Sequence, residues 1–129
     1  MSYTPREEAN RQLVLGAYEH VLKPLDSSRV DDFFAPGYIQ HNPMARTGAN
    51  GLKDFLDWAR AQSPDADHRV KRVFADGDHV IAHVHVIINP GERGNAVVDI
   101  FRIEDGRIAE HWDVAQVVPA DSANSNGMF

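Results

Sequence analysis

Two aspartates and a histidine stand inside the least polar part of this chain. They are Asp99, His111 and Asp113, within the block AVVDIFRIEDGRIAEHWDVAQVV that runs from Ala96 to Val118. Carboxylates are rarely buried without a partner, because an unpaired charge loses its hydration. A nearly apolar strand that keeps them points to a site or to a buried network. Strand residues alternate faces. His111 and Asp113 therefore share one side of the last extended segment with Arg107, Ala109, Ala115 and Val117, and the small alanines leave the room that a pocket wall needs. Ile108, Glu110, Trp112, Val114 and Gln116 take the other side. Asp99 shares a side with Val97, Phe101 and Ile103, so it is expected inside, where a carboxyl must be paired, solvated in a cavity or protonated. Such a group can serve as acid, base or hydrogen-bond donor. Two plainer readings stand beside this one: a wet His111–Asp113 face with Trp112 in the core, and a structural Asp99 that accepts backbone N–H bonds at a sheet irregularity.

Other residues of the same chemical kind lie further off. His41 precedes Asn42-Pro43 at the end of a short extended piece. His83 and His85 alternate with Ala82, Val84 and Val86, and share a face with Ile81 and Ile87. Grouped with His41 or His111 they would suggest a three-histidine metal site, but any strand with two histidines shows this spacing. Packing or a subunit contact on the sheet is the simpler reading. Tyr38 and Trp58 are expected as core or pocket-rim aromatics.

The elements that must position these groups follow from hydrophobic period and punctuation. Thr4 to Leu22 reads as a helix, with Thr4 as cap, Pro5 in the first turn and Glu7 at the third position of a capping box. Asp26 to Phe34 reads as a short helix that Pro36-Gly37 breaks, and Tyr38 to His41 as a short strand. A loop from Met44 to Asn50 leads to a helix over Gly51 to Gln62, with Leu52, Phe55, Leu56 and Ala59 on one face. From His68 the period changes to two. Strands are expected over His68–Ala75, His79–Ile88, Asn95–Ile103 and Arg107–Val118, with turns at Asp76-Gly77-Asp78 and Glu104-Asp105-Gly106. Helices followed by an antiparallel meander mean α+β. A curved sheet that buries one face against helices leaves a natural pocket between them.

Composition narrows the function classes. The chain has 129 residues, 43% of them apolar, which suits one domain with one core. It has no cysteine, so disulfides, thiolate nucleophiles and cysteine-bound metals are excluded. A net charge of −6 disfavours nucleic acid and anionic membrane as partners. No apolar run approaches a membrane span and the polar N-terminus lacks a signal-peptide core, so a cytoplasmic protein is expected. Residues 1–118 are expected to form a single domain and residues 119–129 a flexible tail.

Two motifs carry a family resemblance. One is Tyr38-Ile39-Gln40-His41-Asn42-Pro43, followed by Gly48 and the helix from Gly51. The other is Phe101-Arg102-Ile103 through Asp105-Gly106-Arg107-Ile108 to Glu110-His111-Trp112-Asp113. Together they make the chain, from roughly Glu8 to Val118, resemble the SnoaL-like polyketide cyclase family of the NTF2-like superfamily. The resemblance implies a cone-shaped α+β fold with a deep pocket and a homodimer formed through the outer sheet face. Relatives include cyclases that close rings by aldol condensation without a cofactor; others isomerise ketosteroids, open epoxides, dehydrate small molecules or only bind. Asp99 resembles the oxyanion-hole aspartic acid of ketosteroid isomerase, and Tyr18 sits where that enzyme has its tyrosine donor. The isomerase's general-base aspartate is matched here by Asn42, which cannot take a proton, so the base falls to His41 or Asp113.

The resulting expectation is a cofactor-independent acid–base enzyme, an aldol-type cyclase or isomerase, acting on a small and largely apolar carbonyl compound. His41, Asp99, His111 and Asp113 are its catalytic set. Tyr18, Tyr38, Asn42, Trp58, His83, His85 and Phe101 contact the substrate, and neither cofactor nor metal is expected. The alternatives are a non-catalytic small-molecule binding protein with the same pocket, an epoxide hydrolase, and a structural or trafficking adaptor.

Overall fold

A computed structural model describes residues 2–129 of the chain. Its first helix, α1 (Pro5–Ala17), begins with the capping box, in which the Thr4 hydroxyl accepts the Glu7 N–H and the Glu7 carboxylate accepts the Thr4 N–H. The other Glu7 oxygen accepts the Gly77 N–H at 2.9 Å, and the buried Asn10 amide donates to the Gly77 carbonyl at 3.3 Å. The start of α1 is thereby fastened to the Asp76-Gly77-Asp78 turn. The expected helix to Leu22 is not α-helical throughout: at Tyr18–Leu22 it widens into a π turn, with the Lys23 N–H donating to the Tyr18 carbonyl at 2.8 Å. Such insertions re-aim the side chains they carry.

A 3-10 turn (Ser27–Arg29) and a four-residue helix, α2 (Val30–Phe33), replace the expected helix over Asp26–Phe34. Strand β1 (Phe34–Gln40) then starts at Phe34 and runs through Pro36-Gly37, which were expected to end the preceding element. β1 lies at the edge of the sheet, where proline removes no ladder bond that the sheet needs. Helix α3 (Gly48–Gln62) begins three residues before the expected Gly51. Thr47 occupies its cap position without capping it. Its hydroxyl instead accepts the Gln40 N–H at 3.1 Å and donates to the Tyr38 carbonyl at 3.2 Å, which ties β1 to the start of α3.

Strands β2 (Asp67–Asp76), β3 (His79–Ile87), β4 (Asn95–Glu104) and β5 (Arg107–Val117) match the period-two reading to within one residue at each end. The sheet order is β1-β5-β4-β3-β2, with β1 parallel to β5 and the other pairs antiparallel. Asp105 and Gly106 both have positive φ, at 51° and 72°, as a two-residue hairpin turn requires. The helices cover one face of the open sheet. Val14, Ala17, Tyr18, Val21, Leu52 and Leu56 pack there against Val80, Ala82, Val84, Phe101 and Ile108.

The ladder departs from strict alternation at one consequential place. The register between β4 and β5 shifts beside Ile103, so that Ile108 pairs with Ile103 while Glu110 pairs with Arg102. Ala109 is the extra residue of this bulge. Ile108, expected on the outer side, therefore faces the core, and the strand then resumes with His111 and Asp113 inward and Glu110 and Trp112 outward.

Gly51 lies in the first turns of α3 at a crowded point. A Cβ there would sit 2.2 Å from the Arg46 carbonyl oxygen and 2.6 Å from its carbon. Neither atom is a yielding side-chain end. Gly51→Ala should therefore displace the Asn42–Thr47 loop and lower stability by about 1–3 kcal/mol, read as an earlier urea midpoint with an unchanged slope.

Candidate functional site

The π turn carries Tyr18 onto the inner face of the sheet, where its hydroxyl donates to Asp99 Oδ2. Asp99 is paired across the ladder with Ala82 on β3 and Asp113 on β5. Its other oxygen, Oδ1, lies 2.8 Å from His111 Nε2, and both residues are buried. His111 Nδ1 lies 2.8 Å from Gln40 Oε1, which also accepts the Asn42 N–H at 3.0 Å. Gln40 Nε2 donates to the Tyr38 hydroxyl at 2.8 Å. A single hydrogen-bonded chain thus runs from α1 through β4 and β5 to β1: Tyr18, Asp99, His111, Gln40, Tyr38.

Donor and acceptor chemistry constrains the protons along this chain. The Asn42 N–H requires oxygen, not nitrogen, at that end of the Gln40 amide. His111 Nδ1 must therefore carry the proton it gives to Gln40. One proton remains to be assigned between His111 Nε2 and Asp99 Oδ1. On nitrogen it makes an imidazolium–carboxylate pair, on oxygen a neutral pair, and the pair carries no net charge in either form. Burial, and then the charge of Asp99, push the Tyr18 phenol well above its usual range, so it stays protonated and donates. Burial, followed by the charge of Asp99, also raises Tyr38. Among the described residues no acceptor takes the Tyr38 hydroxyl proton, because its one hydrogen bond is accepted from Gln40.

Asp113 stands beside this chain, half-buried on the inner face, and accepts the Asn42 Nδ2 amide at 2.7 Å. Asn42 Oδ1 in turn accepts the Met44 N–H at 2.8 Å, which fixes that amide's orientation. Ligand-capable atoms of Asp99, His111 and Asp113 all lie within 4.8 Å of one another. Both His111 nitrogens already have protein partners, so a cation held through His111 would have to displace Asp99 or Gln40. Phe101 forms the floor, with its ring 5.9 Å from Tyr18 and 4.9 Å from His111.

The structure brings together Tyr18, Tyr38, Asn42, Asp99, Phe101, His111 and Asp113. It does not bring His41 with them. Tyr38 and Gln40 point inward, so the next residue points out: His41 stacks on Trp112 at 5.0 Å and bonds Glu110 at 2.8 Å on the outer face. Trp58 is also displaced from the expected site. It is 53% exposed on α3 and lines a surface groove of about 290 Å³ with Met44, Arg46 and Phe55. His83 and His85 lie on the outer face as well, because Val80, Ala82 and Val84 fill the inner positions of β3. His83 bonds the cationic Arg72, which opposes a metal, and both imidazoles stack on Phe129. The C-terminal residue, expected to fray, is thus packed against the sheet. A second groove, of about 340 Å³, lies among Ile88, Arg93, Gly94 and Val117, and Asp99, His111 and Asp113 line neither groove.

Two inner-face residues escaped the sequence reading. Gln40 was legible from alternation with Tyr38. His68 looked only like the first residue of a strand. It is mostly buried, and its Nδ1 has no hydrogen-bond partner.

Residues 15–111 match the SnoaL-like domain, and the chain belongs to that family. Among curated proteins, none matches it. Solved structures share its fold. A candidate SnoaL-like polyketide cyclase from a Jannaschia species superposes with a TM-score of 0.74 at 18% identity, covering 89% of this chain and 90% of that one. A candidate polyketide cyclase from Acidithiobacillus ferrooxidans gives 0.71 at 18%, covering 89% and 91%. TsrD from Streptomyces laurentii gives 0.66 at 23%, covering 88% and 91%. No helix is long and apolar enough to cross a membrane among the described residues.

The depressed pKa of His68 gives a pH signature. Burial lowers it from the usual 6.5; nearby Asp99 and Asp67 oppose the shift and Lys23 reinforces it. The unfolded chain therefore binds the extra proton more readily below pH 6.5, so this residue's stabilising effect is complete above 6.5 and is lost as the pH falls below it. Thermal melts of His68→Phe should show a smaller drop between pH 7.5 and 5.5 than the wild type. An equal drop would place the loss elsewhere.

Proposed function

We propose that this SnoaL-like chain is a cofactor-independent acid–base enzyme, an aldol-type cyclase or isomerase, that removes a proton beside the carbonyl of a small, largely apolar compound. The observation that carries this reading is the buried chain from Tyr18 to Tyr38 that passes beside the half-buried Asp113. Asp113 is the base in this reading. With His41 on the outer face, it is the one of the two residues proposed for that role that stands on the inner face, and its carboxylate is positioned by Asn42. Asn42 thereby takes a part that does not require it to titrate.

Proton removal leaves negative charge on the carbonyl oxygen, and donors fixed in place before the reaction stabilise that charge without reorganising. The Tyr38 hydroxyl suits this role, since it accepts from Gln40 and has its own proton free. His111 and Asp99 sit behind it, joined through Gln40, and the proton they share lets the chain strengthen as charge develops. Tyr18 holds Asp99 in position and does not reach the reacting atoms in this scheme. The enolate then either attacks an internal carbonyl or is reprotonated at another carbon. Phe101 and the neighbouring valines supply the apolar surroundings that favour a largely hydrocarbon substrate. The fold likeness to candidate polyketide cyclases agrees with the first outcome.

The competing reading is ligand binding without turnover. Full occupation of both Asp99 oxygens by Tyr18 and His111 favours it, since a finished network needs no proton to move.

Deuterium exchange at carbon beside the carbonyl, followed by proton NMR over a panel of cyclic ketones and 1,3-diketones, separates the two. The wild type should accelerate exchange, and Asp113→Asn should lose about 10²–10⁴-fold of that rate while still binding. Tyr38→Phe should lose rate while still binding. Exchange that is unchanged in Asp113→Asn, or absent from the wild type across the panel, would leave the binding reading.

A further inference from the structure

The chain from Tyr18 to Tyr38 accounts for the polar groups around Asp113 and leaves one inward imidazole unused. His68 lies near the start of β2 and pairs with Val86 on β3. Val70, two residues on, packs against the core, so His68 shares the inner face with it. Its Nδ1 is the one buried side-chain polar atom without a hydrogen-bond partner among the described residues. Native proteins leave few such atoms, and each calls for a reason. The Tyr18–Asp99–His111 group is near enough for the Asp99 charge to act on His68, yet no hydrogen bond joins them. On the ladder the inward positions between Asp99 and His68 belong to Val84, Val86 and Val97. The inner face therefore has a polar cluster at Asp99 and Asp113, an apolar middle, and a lone imidazole at the far side, beside Asp67 and its salt-bridge partner Lys23.

We infer that His68 is a second ligand contact, whose imidazole hydrogen-bonds an oxygen function remote from the carbonyl held near Asp113. This rests on the acid–base reading of the Asp113 end and sharpens its substrate class: an apolar skeleton with an oxygen at each end. Burial keeps His68 neutral near pH 7, with one donor and one acceptor nitrogen. Such a ring suits a hydroxyl or carbonyl better than a carboxylate. A ligand that lacks the matching oxygen leaves the His68 imidazole unpaired, which is how such contacts discriminate.

Phenols imitate the enol, so 2-naphthol and 2,6-dihydroxynaphthalene make a matched pair of probes that differ only in the remote hydroxyl. Their dissociation constants can be measured by NMR titration of the wild type, with the imidazole signals of His68 and His111 followed separately. The second hydroxyl should tighten binding about tenfold and shift the His68 signals. His68→Phe should bind 2-naphthol at least as tightly as the wild type and lose the gain. His68→Gln, which keeps a donor and an acceptor, should retain part of it and serves as the test if the Phe variant does not fold. Equal affinity of the wild type for both probes, or a gain that survives in His68→Phe, overturns the inference while leaving the Asp113 reading intact. Failure of both probes to bind the wild type overturns the site reading and this inference together.

Discussion

A carboxyl group held under the helices by a phenol and an imidazole is the constraint on which the rest of the molecule depends. Asp99 is 7% exposed, and removing one partner from such a buried pair costs about 3–5 kcal/mol because the remaining charge is stranded. Each partner comes from a different element. Tyr18 is supplied by the π turn that ends α1, and His111 by β5 just past the bulge. α1 must lie across the sheet at one angle for the phenol to reach, and the capping-box glutamate with Asn10 sets that angle by fastening its other end to Gly77. Fold and site are therefore one construction. The interaction that fixes the helix on the sheet is the interaction that places the proton-bearing groups.

The same economy appears at β1. This edge strand is bonded to β5 in parallel, and the His41 N–H still donates to the His111 carbonyl at 3.0 Å beyond the strand's end. Its inward residues Tyr38 and Gln40 continue the polar chain that began on α1, and Thr47 locks their backbone to α3. A strand rich in turn residues is held in place by its neighbours more than by its own propensity, and its register against β5 shifts between Phe34 and Ile39, where Pro36-Gly37 lie.

Much of this was legible in the sequence, for reasons of period. The change of period at His68, the Asp105-Gly106 turn and the apolar neighbours of Asp99 gave the α+β class, the meander and an inward carboxyl. The motifs around Asn42 and His111 gave the family. What was lost required registers that one strand alone does not carry. His41 is expected in the pocket with Asp99, His111 and Asp113, although alternation from Tyr38 puts it outside with Trp112. His83 and His85 could be sorted only by knowing that Ala82 pairs with Asp99. Trp58 falls on the solvent side of a helix whose buried side is set by Leu52 and Leu56. The π turn at Tyr18 leaves no mark in the residue pattern, and it carries the phenol that meets Asp99.

The bulge at Ala109 works as a phase slip in an otherwise binary code. Upstream of it β5 gives Ile108 to the interior; downstream, odd-numbered residues take over that side. If Ala109 were instead an ordinary alternating position, the parity that places Ile108 inward would deliver Glu110 and Trp112 inward and cast His111 and Asp113 onto the exterior. One amino acid with no functional group of its own thus decides which half of the strand's vocabulary the hollow is able to read.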